Sequence, residues 1–217
     1  MPLPYIIGAA VAYGAKKVYD HITKDDVPSS NYSPNVPSWN KKTIVIGPKG
    51  SGKTTLANLM ADQKINDIQP TTERTTVGSY ISDYPGYEHC VDTDWADAIQ
   101  KTRCCLYVFD LKSYDDNIIY ENHNYQKLVL WHIDLIHDWI KQKDDSNGTF
   151  GSDFSSFLRS QFIVIGTHSD TLEKEAPNRI LNNIKSELKK RNKEISIRHY
   201  NLLEIESKKL IETIEKD

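Results

Sequence analysis

The sequence predicts a three-layer α/β domain on a mostly parallel sheet, and three observations carry that expectation. Short apolar runs rich in β-branched or aromatic residues alternate with helical segments from Trp39 to the last residues. That alternation is the order of a parallel sheet covered by helices on both faces. One of the runs passes through a glycine-rich turn directly into a helix. At 217 residues the chain has room for one such domain and a short extension, and is short for two full domains.

The extension comes first. Leu3 to Ala15 is nearly all apolar, rich in Gly and Ala, and followed by Lys16 and Lys17, so residues 1–23 are expected to form an N-terminal apolar helix. It lacks the leading positive charge of a secretory signal. Its apolar stretch would span only about 20 Å as a helix, against a hydrocarbon core of about 30 Å. Two readings stay open for residues 3–17: a shallow anchor at a membrane surface, helped by the two lysines, or a helix docked on the domain or on a partner. Residues 24–40 place Pro28, Pro34 and Pro37 among Ser and Asn, the composition of an extended linker. The domain proper is expected at 41–217.

Strands are expected at Thr43–Gly47, Val77–Asp83, Cys104–Asp110, Phe162–Gly166 and Ile195–Tyr200. The first helix follows Gly52, and a second covers about Thr93–Thr102. A third runs from about Asn117 to Lys143, a fourth starts near Pro177, whose fixed φ suits a first turn, and a fifth covers Leu203–Glu215. The third is long, roughly 40 Å at 1.5 Å per residue. Its stripe of Tyr125, Leu128, His132, Leu135 and Trp139, widened by Val129, Ile133, Ile136 and Ile140, predicts a core-facing helix with a partner surface as the alternative. Asp144–Ser156 lacks periodicity and is expected to be a loop.

Composition narrows the function. A formal charge of −3 gives no broad basic field, which argues against a nucleic-acid partner. Cys90, Cys104 and Cys105 show no metal or redox spacing, so they are expected to be reduced thiols of a cytoplasmic protein. No run of 18 apolar residues is present to span a bilayer.

The chemistry is concentrated after the first strand, in Gly47-Pro48-Lys49-Gly50-Ser51-Gly52-Lys53-Thr54 followed by Thr55 and a helical run. This is the phosphate-loop pattern in its strand–loop–helix context. Glycines let the backbone curl so that N–H groups converge on phosphate oxygens, and the helix start adds about half a positive charge. Nucleotide contacts are expected from Gly47, Lys49, Gly50, Ser51, Gly52, Lys53, Thr54 and Thr55. Lys53 would reach the β- and γ-phosphates, and the Thr54 hydroxyl would ligate Mg²⁺.

A phosphate loop does not name the base. From about Lys41 onward, however, the sequence resembles the Ras-like and Arf-like small GTPases, which implies a G domain binding GTP and GDP with Mg²⁺. Asp83-Tyr84-Pro85-Gly86 is similar to the family's Asp-x-x-Gly. The resemblance implies that Asp83 holds Mg²⁺ through water and that the Gly86 amide senses the γ-phosphate, so that Gly86 joins Lys53 in the catalytic set. Thr167-His168-Ser169-Asp170 stands at the base-reading motif, with His in place of Lys as in Roc-type GTPase domains. A carboxylate at Asp170 can accept from both N1–H and the 2-amino group of guanine, donors that adenine lacks. Thr167, His168 and Asp170 are thus base-side candidates, with Asn201 at the poorly matched last motif.

The sequence also departs from that family. Only about twenty residues separate the first helix from Asp83, so one strand of the expected antiparallel pair is missing or very short. The switch threonine must come from Thr71, Thr72, Thr75 or Thr76, with Thr75 and Thr76 favoured as metal ligands. Tyr87 replaces the usual glutamine and Lys49 a usual glycine, which weakens the hydrolysis machinery; His89 and Glu88 are alternative water-positioning groups. Three functions follow. The first is a slow GTPase switch with an unidentified protein effector or activator, peripheral at the inner face of a membrane if residues 3–17 insert. The second is a catalytically weak scaffold working through the long third helix. The third is an ATP-dependent phosphotransferase with Asp110 as its metal residue.

Overall fold

A computed structural model describes residues 39–63, 73–86, 91–147 and 160–216, all within one compact unit, Pro37–Asp217. Six strands form the main sheet: β1 (Thr43–Ile46), β2 (Thr75–Val77), β3 (Ile81–Asp83), β4 (Cys104–Asp110), and after a further hairpin β7 (Gln161–Thr167) and β8 (Ser196–His199). Their order is β2-β3-β1-β4-β7-β8. Every neighbouring pair is parallel except β2 and β3, which pair antiparallel with Thr75 opposite Asp83.

Six α-helices are described: α1 (Lys53–Met60), α2 (Ala96–Gln100), α3 (Leu111–Asp115), α4 (Tyr125–Asn147), α5 (Ala176–Lys190) and α6 (Ser207–Glu215). Alternation along the strands explains which face each covers. Val45, Leu106, Val108, Ile163 and Ile165 pack with Leu56, Ala57 and Met60 of α1 and with Leu210, Ile211 and Ile214 of α6. Their neighbours Ile44, Ile46, Cys105, Tyr107, Phe109 and Val164 face the other way, against Ile99 of α2, Val129, Ile133 and Ile136 of α4, and Ile184 and Leu188 of α5. β4 and β7 are therefore buried on both faces, which is why they are almost continuously apolar. Each such Leu or Ile contributes about 1.5–3 kcal/mol on burial. Trp39 belongs to the α1/α6 layer, and its indole N–H donates to Thr43 Oγ1 at 2.7 Å.

Several expectations need correction. Val77–Asp83 is not one strand: the chain turns at Gly78, in a left-handed conformation (φ 64°), and returns as a hairpin of two three-residue strands. A β-branched run too short for its own turn to stand out hid that break. The segment expected as the start of the third helix instead forms α3 and a small hairpin, β5 (Ile119–Tyr120) with β6 (His123–Asn124). Asn117, Glu121 and Asn122 are left-handed there, with φ of 49°, 45° and 69°, a geometry no helix tolerates. α4 then continues to Asn147, four residues past Lys143 and into the segment expected as loop. A π-helical turn, Val91–Trp95, leads into α2, which ends at Gln100 rather than Thr102, and α6 begins at Ser207 rather than Leu203.

The long α4 does face the core. Tyr125, Leu128, Val129, His132, Ile133, Ile136 and Ile140 are buried, and Leu135 and Trp139 pack at the edge of the same cluster. His132 places Nδ1 3.0 Å from the Tyr107 hydroxyl, and burial pushes its imidazole down to about 3, so it is a neutral core side chain at physiological pH. Lys143, also buried, donates to the carbonyls of Ile99 in the last turn of α2 and of Thr102 just beyond it, and to Ser160 Oγ. Cys104 and Cys105 are buried free thiols. Cys90, the N-terminal helix, the linker up to Ser38 and Thr71, Thr72, Tyr87, Glu88 and His89 lie outside the described residues. Among the described residues no helix is long and apolar enough to cross a membrane.

Candidate nucleotide-binding site

The parallel strands β3, β1, β4 and β7 end at one edge of the sheet, and each end carries a candidate segment. β1 runs into the phosphate loop, β3 into Asp83–Gly86, β4 into Asp110 and β7 into Thr167–Asp170. The helices after β1 and β3 cover opposite faces, so this edge is a topological switch point, the usual ligand position in such sheets.

The phosphate loop is shaped by its glycines. At Gly47 (φ 145°) a Cβ would lie 1.9 Å from the Val108 carbonyl oxygen, so only glycine lets β1 leave the sheet against β4. Gly50 and Gly52 are left-handed, and Gly52 opens α1 with no side chain capping the helix. Lys53 folds back under the loop, buried, with Nζ donating to the Pro48 carbonyl at 2.8 Å. Burial pulls its ammonium down to about 8, opposed by the charge of Asp83. Ser51 Oγ is buried and has no hydrogen-bond partner among the described residues. A desolvated cation, an orphaned hydroxyl and an uncapped helix start are all satisfied by one anion of phosphate size. Lys49 and Gly50 are exposed, while Thr54 and Thr55 are half-buried at the start of α1.

The metal candidates meet beside it. Asp83 is fully buried, and the Thr54 hydroxyl donates to its Oδ2 at 2.6 Å. Two hard oxygen donors of this kind, completed by phosphate and water, fit Mg²⁺. Among the described residues no group of three or more His, Cys, Asp and Glu is arranged to hold a metal. Thr75 and Thr76 lie exposed on β2, and the Thr75 hydroxyl donates to the Glu73 carbonyl at 3.3 Å. Gly86 is wedged against the loop: a Cβ there would sit 2.4 Å from the Gly47 oxygen and 2.5 Å from the Lys49 nitrogen. The Lys49 amide donates to the Gly86 carbonyl at 3.2 Å.

At the other end of the groove, Thr167 is buried and donates to the Ser51 carbonyl at 2.7 Å, with the Phe109 carbonyl at 3.1 Å. It thus ties β7 to the phosphate loop. His168 follows in a left-handed conformation (φ 54°), its Nδ1 3.4 Å from Asp110 Oδ1. The hydrogen bond to Asp110 raises the His168 pKa, against its partial burial and with the Asp110 charge in support. Burial works to raise the Asp110 carboxyl, but hydrogen bonds from His168 and Ser113 and the His168 charge hold it below its ordinary value. Asp170 is exposed in the 3-10 turn Ser169–Thr171. Asn201 spends its side-chain oxygen locally, accepting from the Leu203 amide at 3.1 Å.

One residue at this edge has no counterpart in the sequence reading. Tyr120, on the β5–β6 hairpin, accepts from the Lys49 amide at 2.9 Å and donates to the Gly86 carbonyl at 3.2 Å. The available turn signal was Asn122, between Ile119-Tyr120 and the polar pair His123-Asn124.

No family model and no curated protein matches the chain. Solved structures do. The bacterial selenocysteine-specific elongation factor EF-Sec superposes with a TM-score of 0.52 at 14% identity over 81% of this chain. Translation elongation factor SelB from Methanococcus maripaludis, solved with the GTP analogue GppNHp, superposes with a TM-score of 0.51 at 19% identity over 83% of this chain. The match spans only 28% and 35% of those two longer chains. At such identities the likeness is one of fold, and it agrees with the strand order and the phosphate loop found here: the chain has the fold of a P-loop GTPase G domain.

Proposed function

We propose that this chain binds GTP and GDP with Mg²⁺ and acts as a switch with slow intrinsic GTP hydrolysis. The observation that carries the reading is the 2.6 Å contact between Thr54 and Asp83, which joins the phosphate loop to the Asp-x-x-Gly segment beside the buried Lys53. In this reading Lys53 and the loop amides hold the β- and γ-phosphates, Thr54 and Asp83 hold the cation, and the Gly86 amide faces the γ-phosphate. Bound Mg²⁺ would neutralise charge on the phosphate oxygens. Asp170 accepts from the guanine edge, and His168, oriented by Asp110, lies beside the base. Asp110 also counts against the ATP reading, because its carboxylate accepts from Lys112 N and Ser113 Oγ to cap α3 and pairs with His168.

A competition titration of GTP, GDP and ATP with Mg²⁺ tests the proposal. Guanine nucleotides should win by orders of magnitude, and equal or stronger ATP binding would overturn it. The scaffold reading rests on Trp131, a large apolar side chain 43% exposed on α4. Single-turnover hydrolysis separates it from the switch. For residues 3–17 the proposal is a surface anchor, tested by flotation with anionic vesicles of the full chain beside a chain starting at Ser38. If both stay in solution, the anchor is abandoned.

A further inference from the structure

Resting on the nucleotide-binding reading above, we propose that Tyr120 is a positioning residue that clamps the γ-phosphate end of the site and slows nucleotide release. Its hydroxyl sits between the two walls of that end. It accepts from the Lys49 amide of the phosphate loop and donates to the Gly86 carbonyl, while Lys49 N and Gly86 O are themselves 3.2 Å apart. The three groups close a ring across the mouth of the loop. A ligand whose terminal phosphate lies under Lys49 and Gly86 leaves only when those walls part, and the Tyr120 hydroxyl is joined to both.

The chain goes to some length to put it there. Glu121 and Asn122 are both left-handed, the requirement of a two-residue hairpin turn, and a left-handed glutamate is an uncommon and costly choice. The Tyr125 amide donates to the Ile118 carbonyl at 3.0 Å and closes the base of the hairpin. The Tyr120 ring then stands edge-on to Tyr125, with centroids 5.9 Å apart. Tyr125 is buried at the start of α4, and its own hydroxyl accepts from the Asp110 amide at 3.1 Å. The clamp is therefore mounted on a core side chain that also touches the segment carrying the Asp110–His168 pair.

Removing the hydroxyl while keeping the ring isolates the effect. Tyr120→Phe should release a fluorescent GTP analogue about five- to tenfold faster, the scale of one or two neutral hydrogen bonds, and release GDP with a smaller acceleration. Its stability without nucleotide should fall by no more than those one or two hydrogen bonds, and its preference for GTP over ATP should persist. Ile119→Ala, at a neighbouring exposed position on the same hairpin, should release both nucleotides at the wild-type rate. Unchanged release by Tyr120→Phe from a wild type that binds GTP overturns the clamp and leaves the nucleotide site standing. Equal acceleration in Ile119→Ala would assign the effect to the hairpin as a whole and also overturn it. A wild type that binds no guanine nucleotide would instead refute the underlying functional reading.

Discussion

Lys53 is a buried cation, and that makes Lys53→Met a sharp test of the phosphate site proposed above. Without an anion the ammonium is buried with a single carbonyl acceptor described for it, and burial lowers it from an ordinary 10.5 to about 8. At about 1.4 kcal/mol per tenfold, that displacement is a bias of roughly 3 kcal/mol against the charged form in the nucleotide-free fold. Methionine keeps the stem and removes the charge. It also leaves the Pro48 carbonyl unpaired, at about 1 kcal/mol. The nucleotide-free variant should therefore be more stable than wild type by about 1–2 kcal/mol at pH 7, while nucleotide binding is lost. The pH dependence has a definite sign. Between about 8 and 10.5 the unfolded wild type holds a lysine proton that the folded state has released, so wild-type stability rises with pH there and the gap to Lys53→Met narrows. Urea melts of both proteins at pH 7 and pH 10, after removal of nucleotide, measure this. A variant less stable than wild type at pH 7, or a gap that does not change with pH, would refute the argument that burial loads this lysine for an anion.

Three further outcomes are expected. Asp170→Ala should lose most of the preference for GTP over ATP, which for a site built on paired donors reaches roughly 10⁴-fold; competition binding reads it directly, and full retention would remove Asp170 from the base site. Asp110→Asn should lower the His168 pKa, seen by NMR titration of its imidazole, because the Asp110 hydrogen bond and charge are what raise it. In the wild type, stabilisation from a raised His168 is complete below the unfolded histidine value and lost as pH rises through the folded one, and Asp110→Asn should flatten that window. Intrinsic GTP hydrolysis should stay at or below roughly 10⁻⁴ s⁻¹, the scale of an unassisted Ras-like site, given Tyr87 and Lys49; turnover near 1 s⁻¹ in a single-turnover assay would point to Glu88, His89 or another group as a working catalyst.

What the sequence could show depended on how local each signal was. The phosphate loop needed only adjacent residues, since Gly47 to Thr54 carry the turn, the cation and the hydroxyl within one segment. The apolar runs of β4 and β7 were equally plain because both faces are buried. The β2–β3 hairpin was harder: its strands are three residues each, shorter than the window in which alternation is visible, and only Gly78 marks the turn. The start of α4 was misplaced for a related reason. Ile118, Ile119 and Tyr120 continue a helical apolar pattern on paper, but Glu121 takes a left-handed φ that its residue type does not advertise. Tyr120 was invisible for another reason, because it acts on Lys49 and Gly86 at sequence separations of 71 and 34 residues.

The choice between Asp83 and Asp110 shows where local chemistry takes over from topology. β3 and β4 both flank β1, so both aspartates end beside the phosphate loop, and strand order alone assigns the cation to neither. The difference lies in what each carboxylate already holds. Asp110 begins a helix at once: it has an extended backbone, accepts from the Lys112 amide at 2.8 Å and the Ser113 hydroxyl at 2.6 Å, and has His168 Nδ1 3.4 Å from its Oδ1. Its lone pairs are spent on the chain's own groups, next to His168. Asp83 is followed by Tyr84-Pro85-Gly86, which are neither helix nor strand, so no helix start competes for it there, and the Thr54 hydroxyl is held against it from α1. A cation there would sit between two oxygens offered by separate elements, next to the loop amides. The same division makes Asp110 useful elsewhere. By pairing with His168 in its left-handed turn it orients the residues that lead to Asp170, so two similar aspartates on the strands either side of β1 would, in the proposed function, serve opposite ends of one nucleotide.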